Sequence, residues 1–171
     1  NVILQTGVPV FRSWVGTKLS NDAVVPQASG YIANHPGLKD ARCVGNIGIQ
    51  PDPDGQVRSV PLLAQWQQAT SPLLPLAMLQ CGSNHPVDVS TLSSRLFSQP
   101  FWEVPFPRNW QAYTVVPAQD VLGHRVDPQW LRERWVLVGS SALGLSDRAT
   151  TPLGESVAGV MVHAAVLTAL L

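Results

Sequence analysis

Charge is the scarcest property of this 171-residue chain: Asp, Glu, Lys and Arg make up 13% of it, against roughly 25% in an ordinary soluble domain. Eleven basic residues balance eleven acidic ones. Without a basic excess there is no electrostatic footprint for nucleic acid or an anionic membrane surface. Nucleic-acid binding is therefore excluded as an expectation. No uninterrupted apolar run approaches the roughly 20 residues that span a bilayer. There are only two cysteines, Cys43 and Cys81. Their separation has no metal-ligand spacing, which leaves one disulfide or two small core residues as the alternatives. The four histidines, His35, His85, His124 and His163, show no ligand spacing either, so neither metal nor cofactor is expected. Internal repeats and low-complexity tracts are also missing.

What is present is apolar, 45% of residues, in a length that fits one domain with a real core. Val2-Ile3-Leu4 and Val8 to Val15 read as strands, and residues 16–40 as irregular loop. Arg42 to Gln50 and Val57 to Trp66 read as two strands around Pro51-Asp52-Pro53-Asp54-Gly55, a run dense in turn formers, and so predict a β-hairpin. Pro72 to Leu79 predicts a helix that ends near Gly82. Residues 95–115, rich in aromatics and proline, suit loop and short strands. Val116 to Leu122 predicts one or two helical turns, and Asp127-Pro128 opens a short helix through Arg134. Trp135-Val136-Leu137-Val138 reads as a strand covered on both faces, and Gly159 to Leu171 as a terminal helix. The expected fold class is α/β: a mixed sheet with an antiparallel hairpin and flanking helices.

The segment Trp135-Val136-Leu137-Val138-Gly139-Ser140-Ser141-Ala142-Leu143-Gly144-Leu145-Ser146-Asp147 continues as Thr150-Thr151-Pro152-Leu153-Gly154 and Gly159-Val160-Met161-Val162-His163-Ala164. This resembles the C-terminal signature of type-two CHASE domains. Upstream, Asp54-Gly55-Gln56-Val57-Arg58 with Pro61-Leu62 resembles the family's hairpin, and Pro75-Leu76-Ala77 its following helix. Tyr113 with Asp120-Val121-Leu122 is similar to its approach to the last strand. The likeness covers most of the chain and is weak over residues 10–40 and 83–110. It implies a single extracytoplasmic sensor domain over residues 1–171, periplasmic or extracellular, taken from a longer membrane-anchored receptor. Membrane helices and a cytoplasmic cyclase or kinase would follow. The family's N-terminal region, a membrane anchor and a strand-helix-strand unit, is expected to lie outside this sequence. The implied partners are a small ligand or an envelope protein, and a homodimer is compatible with such receptors.

Candidate ligand-binding residues are Ser140, Ser141, Asp147, Thr150, Thr151 and His163. Gly139-Ser140-Ser141, after an apolar strand, offers amides and hydroxyls to an anion at a helix N-terminus, or caps that turn. Asp147, Thr150 and Thr151 suit bonds from a polar loop to backbone groups. His163, in an apolar helix, is either a satisfied core group or a pH-sensing one. Ser141, Asp147 and His163 follow the chain order of an α/β-hydrolase triad. The nucleophile elbow's second glycine is missing, and no catalysis is expected. Asp52 and Asp54 lack the rest of a calcium loop, while Arg58 is placed to pair with Asp54. Trp102, Phe106, Trp110 and Tyr113 line a pocket or cover a small core.

Overall fold

A computed structural model describes residues 4–5, 7–10, 16–18, 24–33, 43–82, 99–140, 148–153 and 156–171. The first strands are β1 (Leu4–Gln5), β2 (Gly7–Val10), β3 (Gly16–Lys18), β4 (Val24–Pro26), β5 (Gly30–Ala33) and β6 (Val44–Gly45). After them come β7 (Ser59–Val60), β8 (Leu63–Trp66), β9 (Ala69–Pro72) and helix α1 (Leu74–Gly82). The C-terminal half holds β10 (Trp102–Glu103), α2 (Ala118–Leu122), β11 (Arg148–Thr150), β12 (Ser156–Ala158) and α3 (Gly159–Leu170).

This is an α/β chain with mixed pairing. Strands β2–β5, β3–β4, β7–β10, β8–β9 and β11–β12 pair antiparallel, and β1–β6 pair parallel. Single parallel bridges stitch these ladders together: Gln27 to Gln65, Asn46 to Leu73 and Gln56 to Thr150. The stretch 16–40, read as loop, therefore contains three short strands. Each is three or four residues long, too short for alternation to be legible in sequence.

The expected hairpin around Gly55 is a turn without one. Asp52 N–H donates to the Gln56 carbonyl and Gly55 N–H to the Asp52 carbonyl, both at 2.8 Å, and Gly55 takes φ +82°, where glycine is at ease. The flanking segments then part. Val57 N–H donates to the Thr150 carbonyl and β7 pairs with β10, while β6 pairs with β1. Turn chemistry fixes a reversal, whereas the partner of each strand is chosen by burial of its apolar face. A hairpin forms instead from β8 and β9, which turns at Gln67-Gln68, with Gln67 at φ 53°. Neither residue is a turn former, so nothing local announced it.

Helix α1 is apolar all round: Pro75, Leu76, Ala77, Met78 and Leu79 are buried, as a helix covered on several sides requires. Pro75 falls within the first turn, where its missing N–H costs nothing. One side of α1 meets β6 so closely that a Cβ on Gly45 would lie 2.7 Å from the Leu74 Cα and 2.8 Å from the Ala77 Cβ. The other side packs on α3. Leu73, Leu76, Val57, Val60 and Leu62 form the principal core with Val162, Ala165 and Val166 of α3. A second cluster joins Met78 and Leu79 to Leu167, with Leu137 packed against it.

The predicted strand at residues 135–138 is not one. It runs without regular structure, and Val136 and Val138 are 49% and 86% exposed. Among the described residues no backbone hydrogen bond involves residues 135–139. An apolar run becomes an interior strand only when neighbours take its N–H and C=O groups, and the described residues supply none. The short helix after Asp127 stops at Trp130 and is a 3₁₀ turn, with the Asp127 carboxylate accepting from Gln129 N–H at 2.9 Å.

Candidate functional site

The residues singled out above fall into three groups. Ser141 and Asp147 lie outside the described residues. Ser140 is half-buried, directly after Gly139, whose backbone abuts the first turn of α3: a Cβ there would meet the Val160 Cβ at 2.5 Å. Thr150, Thr151 and His163 lie on adjoining elements, because the β11–β12 hairpin packs on α3.

At this junction the two threonines have opposite fates. Thr150 ends β11 opposite Ser156, with its side chain outward and its carbonyl holding Val57 N–H at 2.8 Å. It is thus a strand residue rather than a loop residue. Thr151 is completely buried, and its Oγ1 has no hydrogen-bond partner. The expected side-chain bond from Thr151 to a backbone group is not made. A buried hydroxyl without a partner costs about 1–3 kcal/mol, so this position stores an unmet demand for a donor or acceptor.

His163 is 4% exposed on the inner face of α3. Burial pushes its imidazole from the usual 6.5 down to about 4, opposed by a hydrogen bond with the backbone of Ile47. Nδ1 has no partner, so the bond to Ile47 is made by Nε2. A bond that favours the protonated ring is one in which the ring N–H donates to a carbonyl. His163 therefore joins α3 to the segment after β6.

That segment carries a residue the sequence reading missed. Asn46 is fully buried, donating from Nδ2 to the Ser71 carbonyl at 3.0 Å and to Ser71 Oγ at 3.2 Å, and accepting at Oδ1 from Gly48 N–H at 3.1 Å. Its N–H donates to the Pro72 carbonyl and its carbonyl accepts from Leu74 N–H. Asn46 thus fastens β6 to β9 and to the start of α1. A polar residue between glycines in an apolar run was the available signal. Beside it, Cys43 and Cys81 form a disulfide across a separation of 38 residues, with their Cα atoms 6.2 Å apart. It ties the residue preceding β6 to the end of α1, and such bonds persist in oxidising compartments.

The remaining candidates are structural. Arg58 donates to Asp52 at 2.7 Å and to Asp54 at 2.6 Å on the surface, and its hydrogen bond holds the Asp54 carboxyl down at about 2. Trp102, Phe106 and Trp110 pack on the principal core, with Phe106 and Trp110 edge to face at 5.9 Å and Tyr113 beside Trp110 at 6.3 Å. Covering the core is what these aromatics do. Among the described residues no group of three or more His, Cys, Asp or Glu could hold a metal, and no helix is long and apolar enough to cross a membrane.

An α/β chain with a disulfide beside its central helix, and its last helix built into the core, has the make-up of a folded module from an oxidising compartment. The family follows from comparison. Residues 3–171 match the model described as the CHASE2 domain, and the chain belongs to that family. CHASE2 domains are extracellular sensory domains found in signalling receptors. Comparison with curated proteins and with solved structures gave no match.

Proposed function

We propose that this chain is the stimulus-receiving part of a transmembrane receptor, without catalytic activity of its own, and that α3 carries the response into membrane helices and a cytoplasmic output domain. The observation that carries this reading is the position of α3. Val162, Ala165 and Val166 complete one core cluster and Leu167 the other. A stimulus that repacks either cluster displaces the helix, which is the two-state element that signalling needs. The disulfide supports an extracytoplasmic setting.

The stimulus is a small ligand or an envelope protein. Thr151 and His163, with Thr150 beside them and Ser140 near the first turn of α3, form the proposed receiving region for a small ligand; Ser141 and Asp147 join the proposal on residue type alone. Association into a homodimer is part of the proposal and is read by sedimentation.

A thermal-shift screen of amino acids, organic acids, nucleotides and metals tests the reading, since a ligand that prefers the native state raises its melting temperature. The expected result is a saturable shift lost in Thr151→Val. In the full-length receptor, the same ligand should change output. A ligand that binds but leaves output unchanged would reduce the domain to a positioning or interaction module.

A further inference from the structure

We propose that His163 is an acid-sensitive latch, whose neutral imidazole holds α3 against the segment following β6 and whose protonation releases the helix. The geometry leaves the ring no way to accept a charge in place. It is 4% exposed, with one nitrogen bonded to the Ile47 backbone and the other, Nδ1, unpartnered. A second ring proton on Nδ1 would have nothing to donate to, and an unpaired cation cannot be kept in an apolar core.

Among the described residues, the elements packed against it carry no carboxylate. Helix α1 is free of ionisable side chains, as are β6, residues 46–50, β12 and the rest of α3. The one charged group on these packed elements is Arg148 of β11, an exposed cation that donates to Ser156. It disfavours a second positive charge nearby. Proton uptake therefore requires the ring to reach water. The ring sits on α3 between Val162 and the Ala165-Val166-Leu167 face, so it reaches water only as the helix lifts from Ile47 and α1. The depressed proton affinity of the closed form agrees with this coupling. That a released helix carries a signal rests on the proposed sensory role, whereas the latch itself does not.

Amide hydrogen exchange of α3 in the 171-residue chain, corrected for intrinsic exchange, tests the latch in wild type and His163→Gln. Glutamine keeps a donor for Ile47 and cannot titrate. Below a pH of about 6.5 the wild-type opening equilibrium of α3 should rise about tenfold per pH unit until about pH 4, while the variant stays flat. Parallel profiles would overturn the latch. If the variant fails to fold, ring-nitrogen NMR of wild type decides: titration near 6.5 with α3 amide signals unmoved overturns the proposal, and titration concerted with those signals supports it. Receptor output distinguishes the two levels. Opening without a change in output sinks the sensory reading and leaves the latch standing.

Discussion

Two apolar stretches of this chain meet opposite fates. Val57, Val60 and Leu62 are at most 3% exposed, whereas Trp135, Val136 and Val138 are 38–86% exposed, although both stretches have the composition of an interior strand. The difference lies in the backbone. Val57 N–H reaches Thr150, and Val60 lies opposite Trp102, so the main-chain groups of the first stretch are answered and its side chains can leave water. Residues 135–139 have no such bonds among the described residues, and only Leu137 is drawn onto the core. Hydrophobicity decides that a segment wants burial. Pairing decides whether it gets it.

Truncations should separate the two stretches most sharply. Leu76→Ala, at a side chain with no exposure, is expected to cost about 3–4 kcal/mol in chemical denaturation, while Val138→Ala should fall within about 0.5 kcal/mol of wild type. Equal losses would contradict the exposure of Val138. Next in size is the disulfide: Cys43→Ser with Cys81→Ser should lower stability by about 2–4 kcal/mol, and wild type in reductant should match the double variant.

Acid should weaken the well-packed half first. Because the folded His163 pKa of about 4 lies below the unfolded value near 6.5, its contribution is fully present above 6.5 and is lost as pH falls toward 4. The loss over that window is roughly 3 kcal/mol, and His163→Gln should lack this component in denaturant titrations. Gly139→Ala tests where the exposed ribbon rejoins the fold. Its methyl would meet the branched Val160 side chain, for an expected cost of about 1–3 kcal/mol, and Val160→Ala should relieve most of it. A smaller cost belongs to the cap before the ribbon: Asp127→Ala should lose about 1 kcal/mol or less, by removing the carboxylate that receives Gln129 N–H.

Legibility in the sequence followed the range of the interactions involved. Helices α1, α2 and α3 were readable because their signals, proline at an entrance and a sustained apolar pattern, act within a few residues. The Asp52–Gly55 turn and the Asp54–Arg58 pair were readable for the same reason. The hairpin around that turn was not, since the partners of Val57 and Ser59 lie about ninety and forty residues along the chain, at Thr150 and Glu103. In the candidate site, Thr150, Thr151 and His163 were picked out by residue type, but the contrast between an outward Thr150 and a buried, unpartnered Thr151 depends on β11–β12 pairing. Asn46 escaped notice because its importance comes from Ser71, Pro72 and Leu74, a different part of the chain.

Helix α1 is moored at both ends to the same few residues. Leu74 N–H is held by Asn46 at one end, and Cys81 is bonded to Cys43 at the other. Seven helical steps from Leu74 to Cys81 cover about 10 Å, close to the reach of three extended residues from Cys43 to Asn46. A rod fixed to a rail at two points can neither pivot nor slide along it. In the proposed latch, any travel of α3 would then be measured against α1 as its fixed bearing.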